Sequence, residues 1–147
     1  MSERPVGGGK SKTLATWIAI AGGALGLHRY YLHGFADRWG WLFPLPTLLG
    51  AFGVRRALSL GQDDRLSWLL IPLLGVSLSV AMLSAIVIAL TPDERWNTRF
   101  NHGAPLSRTG WPTVLGAALA LLLGAGVLMA TVAFSCQRFF EYQAAQP

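Results

Sequence analysis

Gly22-Gly23-Ala24-Leu25-Gly26-Leu27-His28-Arg29-Tyr30-Tyr31-Leu32-His33-Gly34 is the stretch on which the fold turns. A glycine-dotted apolar run ends there in a cluster of cations and aromatics, and a few residues later the chain is apolar again. Glycines let backbone bend or approach closely, while Arg, His and Tyr favour the polar boundary of a bilayer over its interior. The stretch reads as a corner between two apolar segments, lying at a membrane surface.

On either side of this corner the apolar runs are short. Thr13–Leu27 would reach about 22 Å as a helix, less than a hydrocarbon core of about 30 Å, with Lys12 and Arg29 free to snorkel outwards. Trp39–Val54 is of similar length and contains Pro44 and Pro46, which are expected to kink or partly unwind it. Trp68–Leu90 and Trp111–Ser135 are longer, about 34–37 Å, enough to cross with some tilt. The expected fold is all-α: a polytopic integral membrane helical bundle of four transmembrane helices, the first pair a short hairpin. The shortness of that pair leaves open a second arrangement, two full spans plus a re-entrant hairpin.

Composition supports the membrane reading. Of 147 residues, 52% are hydrophobic and 13% charged, about half the charged share of a soluble domain. The net charge of +5 sits at the edges of apolar runs, where cations meet lipid phosphates, so membrane lipids rather than nucleic acid are the expected partner. Cys136 is the only cysteine, which excludes an intrachain disulfide and a cysteine-based zinc site. Gly9-Lys10-Ser11 has Arg4 where a phosphate loop needs its first glycine, and no strand precedes it.

The chain then divides into a polar, disordered tail over residues 1–12, a two-helix hairpin domain over 13–54, a basic loop over 55–67, a second helix pair over 68–135 and an interfacial tail over 136–147. His28-Arg29-Tyr30-Tyr31 is a poor signal-peptide cleavage site, so the first run is expected to be retained. Within the second pair, the polar loop 91–110 carries Asp93-Glu94 beside Arg95 and Arg99, read as a solvated charge mix. Trp17, Trp39, Trp41, Trp68, Trp96 and Trp111 lie near run ends and read as an interfacial belt. With four spans, Lys and Arg number seven on the amino-terminal side and five on the other. This favours both termini in the cytoplasm, in a bacterial inner membrane.

Small residues recur four apart: Ala15, Ala19 and Gly23, with Gly22 and Gly26 beside them; Ser77, Ala81, Ala85 and Ala89; Gly116, Ala120 and Gly124. Lipid supplies no hydrophobic drive between helices, so such rows are expected at helix contacts, within the chain or between copies. The apolar runs hold no ionisable group of the kind a membrane enzyme or proton pump keeps at depth. No catalytic residue, metal or cofactor is expected. The one candidate site is the corner itself. His28, Arg29, Tyr30, Tyr31, His33, Asp37 and Arg38 fall within eleven residues, and Arg29 could grip a lipid phosphate or a partner, or pair with Asp37.

At these positions Gly26-Leu27-His28-Arg29-Tyr30-Tyr31-Leu32 resembles the G-x-H-R-F-Y-L-G signature of the two-transmembrane-helix (TM-two) domain family. The resemblance covers roughly Lys12–Val54 and implies a helical hairpin with no established biochemical activity. His33 stands where the family has glycine, and Arg55-Arg56 replaces a frequent acidic residue. Asp37-Arg38-Trp39 is similar to the Asp-Arg-aromatic triplet of animal members, whose loop is thought to be cytosolic, opposite to the arginine count. The expected role is structural or interactive, binding lipid, further copies or other membrane proteins; the alternative is a small oligomeric transporter or channel subunit.

Overall fold

A computed structural model describes residues 8–146, and every regular element among them is helical. Six helices follow in order: α1 Lys12–Gly22, α2 Leu27–His33, α3 Pro44–Leu60, α4 Arg65–Leu90, α5 Asp93–Phe100 and α6 Trp111–Ala144. Single 3₁₀ turns occupy Gly23–Leu25 and Gly40–Leu42.

Two of these, α4 and α6, are long and apolar enough to cross a membrane, with mean hydropathy of 2.5 and 2.3 over their most apolar windows. Local chemistry sets the ends of α4. The Asp64 carboxylate caps it by accepting from Ser67 N at 3.1 Å, and Thr91-Pro92 stops it because the residue before proline avoids the helical region. The two helices run antiparallel: Gly75 lies on Thr131, Gly124 on Met82, and Gln62 meets Arg138.

Both α1 and α3 are antiparallel to α4, but each covers a different half of it. Lys12 lies at Thr91 and Gly23 at Ala81, so α1 lines the carboxy-terminal part. Gly50 lies on Leu74, Gly53 on Leu70, and Arg56 reaches Asp64, so α3 lines the amino-terminal part. They point the same way, end on end, as one interrupted helix along α4. The expected hairpin of two antiparallel helices is therefore corrected: α1 and α3 form one broken column beside α4 and α6, and of these helices α4 and α6 are long and apolar enough to cross a membrane.

Glycine and proline account for the interruption. Gly26 takes the left-handed backbone at φ +77°, and an added Cβ would sit 2.7 Å from the Gly40 carbonyl oxygen. There the chain doubles back as α2 towards the end where α1 began. The Lys10 ammonium donates to the Leu32 carbonyl, and Ser11 N donates to Tyr31 Oη at 3.1 Å. Pro44 and Pro46 do not kink a helix, as expected above, but begin α3, where the first amides have no intrahelical partner to lose.

The described part of the amino-terminal arm and the carboxy-terminal end of α6 consequently lie at opposite ends of the bundle, against the expectation of termini on one side. The basic residues Arg55 and Arg56 belong to α3 rather than to a loop, and α6 continues to Ala144 through most of the expected tail.

All three rows of small residues lie at contacts within the chain. Ala15, Ala19, Ala81, Ala85 and Ala120 are fully buried where α1, α4 and α6 meet. An added Cβ at Gly23 would come 2.9 Å from Ala81 Cβ, at Gly116 3.0 Å from Thr16 Cγ2, and at Gly124 2.7 Å from Met82 Cβ. Gly22 instead makes room for Leu27, across the break. Helices this close gain dispersion contacts that bulkier residues would forbid.

Candidate functional site

The corner is assembled by the doubling back of α2. Arg29 Nε donates to Asp37 Oδ2 at 2.7 Å across the loop, with Asp37 mostly sheltered and Arg29 partly open. The guanidinium also lies over the Phe43 ring, 6.0 Å from its centroid. Tyr30 stacks on Phe35 and meets Trp41 edge-on, its ring lying against Gly40. His33 is exposed and meets Phe100 edge-on, and Arg38 is exposed. His28, Arg29, Tyr30 and Asp37 thus make contacts within the corner, Tyr31 and His33 tie it to the arm and to α5, and Arg38 makes no ion pair among the described residues.

His28 departs from the surface role expected of it. It is buried, with 4% of its surface exposed, its ring edge-on to Phe43 and its Nδ1 without a hydrogen-bond partner. Gly23 and Ala81 are its neighbours, nine residues below the end of α4, or about 14 Å. The corner begins at mid-height of the bundle and only its far end, at His33, reaches the level of the arm. Linear spacing could not show this, since it depends on α2 reversing direction.

A second polar assembly was missed altogether. The arm 9–12, expected to be disordered, is bound along the α4–α6 connection (residues 1–7 of that expected tail lie outside the described residues). Lys12 is 1% exposed; its ammonium donates to the Thr91 carbonyl at 2.7 Å, to Asp93 Oδ1 at 2.5 Å and to the Thr109 hydroxyl. Asp93 also accepts from Thr109 N at 2.9 Å. These bonds, that of Lys12 first, hold its carboxyl far below the usual range, so Asp93 is a paired anion rather than part of a solvated mix. Asn101 closes on the arm from both sides: Oδ1 accepts from Lys10 N at 2.6 Å and Nδ2 donates to Lys10 O at 3.3 Å. Trp96 is no belt residue but the buried centre of this cap, donating Nε1–H to Lys10 O at 2.9 Å. The signal available in sequence was the pair Asn97 and Asn101, one helical turn apart beside Trp96, which gives α5 one buried polar face.

No set of three His, Cys, Asp or Glu residues that could hold a metal occurs among the described residues. What the corner offers chemically is hydrogen-bond donation from a partly open guanidinium beside an apolar wall. No family model, curated protein or solved structure matches the chain.

Proposed function

We propose that this is an integral membrane protein with a structural or interaction role, crossing the bilayer as α4, α6 and the interrupted α1–α3 column. The observation that carries the reading is α6. Its most apolar window has a mean hydropathy of 2.3, yet only 6% of that window is buried by the rest of the chain. Water is an unfavourable neighbour for so long an apolar surface, and lipid or another membrane protein is a favourable one.

On this reading the cap formed by the arm and α5 stands at one headgroup layer and the Arg56–Asp64 pair at the other. Lys and Arg among the described residues number five at the cap end (Lys10, Lys12, Arg95, Arg99, Arg108) and four at the other (Arg55, Arg56, Arg65, Arg138), with Arg29 and Arg38 in the corner counted to neither. That imbalance supports a cytoplasmic cap and a carboxy terminus on the far side. The likeness of Gly26–Leu32 to the TM-two signature fits a corner role but carries no activity. Resistance to alkaline carbonate extraction is the expected result, and release of the protein from vesicles would overturn the proposal.

The interrupted column favours one second reading, a transporter or channel subunit, because broken helices line substrate paths in such proteins. It requires solute or ion flux in proteoliposomes that His28→Ala abolishes.

A further inference from the structure

The side of α4 that faces α2 and α3 is not covered along its length. One depression lies between α2 and α4, lined by His28, Arg29, Leu32, His33, Leu83 and Val87 among others. A second continues it between α3 and α4, past Phe43, Leu45, Leu73 and Val76. Val80 borders both, and Phe43 lies against His28 and under Arg29, so the two form one lateral groove. From Val87 to Leu73 it follows fourteen residues of α4, about 21 Å, longer than the roughly 15 Å half-thickness of a hydrocarbon core.

Charge is confined to the half of this groove nearer the cap. Its α3 end is walled by aliphatic side chains, Phe43 and a proline, with Ser77 bonded back to the Leu73 carbonyl. The half nearer the cap holds His28 and Arg29 at mid-height and His33 above them, beneath Lys10 of the cap. Lys10 and Arg29 stand there, and the acid bonded to them among the described residues, Asp37, engages only Nε of Arg29. The terminal guanidinium nitrogens make no hydrogen bond to a described residue. A cationic mouth on a long apolar groove complements an anionic amphiphile. A helix from a second copy would match it poorly, because the apolar stretches of α4 and α6 carry no acid to place opposite Arg29.

We propose that this groove binds an anionic phospholipid, its phosphate on Arg29 and His33 and an acyl chain along Leu83, Val80 and Leu73. The assignment rests on the membrane reading above and adds the ligand to it. Asp37 then competes with the phosphate for Arg29, which separates binding from a purely structural ion pair.

The test uses the full chain purified in detergent and incubated with phosphatidylglycerol or phosphatidylcholine, lipid retention being read by native mass spectrometry. Phosphatidylglycerol should be retained about tenfold more strongly: both lipids bring a phosphate to Arg29, but the choline cation of phosphatidylcholine is opposed by Lys10 and Arg29. Arg29→Gln should erase the preference, Asp37→Asn should increase it, and Leu83→Trp, which fills the groove, should reduce retention of both lipids. Inorganic phosphate should not displace the lipid. Equal retention of the two lipids would overturn the assignment, as would weakened retention in Asp37→Asn. Displacement by phosphate, indicating a plain anion site, or crosslinking of Val80 positions between copies would also overturn it. Carbonate extraction in parallel separates the failures: an embedded protein without lipid preference sinks the groove alone, and a released one sinks the membrane reading too.

Discussion

Exchanging the two partners of the arm clasp should give unequal losses, because only one of them is out of water. Lys12 is 1% exposed, whereas the Asp93 side chain is 37% exposed. In Asp93→Asn the buried ammonium keeps the Thr91 carbonyl and Thr109 hydroxyl but loses its counter-charge. Stranding a buried charge costs about 3 kcal/mol. In Lys12→Met the aliphatic stem is kept and the remaining carboxylate can still accept from Thr109 and from water. The loss there should be about 1–1.5 kcal/mol, that of ordinary hydrogen bonds and a screened pair. The double variant should recover much of the Asp93→Asn loss, since the stranded charge is gone. Unfolding by sodium dodecyl sulfate in mixed micelles, followed by circular dichroism and tryptophan fluorescence, reads all three. If Lys12→Met were as damaging as Asp93→Asn, or the double variant were the sum of the singles, the burial argument would be refuted.

Three further outcomes follow from the same geometry. Gly50→Ala drives a Cβ into the Leu74 backbone and should cost about 1–3 kcal/mol, whereas Gly126→Ala meets nothing within 4 Å and should be neutral or stabilising by about 0.5–1 kcal/mol; equal melting temperatures would contradict the packing. Asp64 is pushed down to about 2 by Arg56 and Ser67, and Asp93 lies far below its usual value, so both are protonated more readily in the unfolded chain. Stability should therefore hold from neutral pH to about 4 and fall between about 4 and 2, an acid-titrated unfolding curve being the check. Finally, tags at the two termini should be protease-accessible from opposite faces of sealed vesicles; accessibility from one face would restore an even number of crossings.

The amino-acid sequence alone determined that this chain is helical and apolar, where α4 and α6 lie, and which small residues let helices touch. Those properties are local: they follow from hydropathy, spacing and steric size read along a few turns. The chemistry of the corner was also marked, although the first helix was expected to run on to Leu27 through the break at Gly22–Gly26. Tertiary structure alone decided the direction taken after that break, because a left-handed glycine can feed either a crossing helix or a reversal. With it were decided the number of columns, the depth of His28 and the sides of the termini. The burial of Lys12 on Asp93, some eighty residues away, was likewise invisible in the linear chain, since an ion pair of such separation exists only once α1 has been laid along α4.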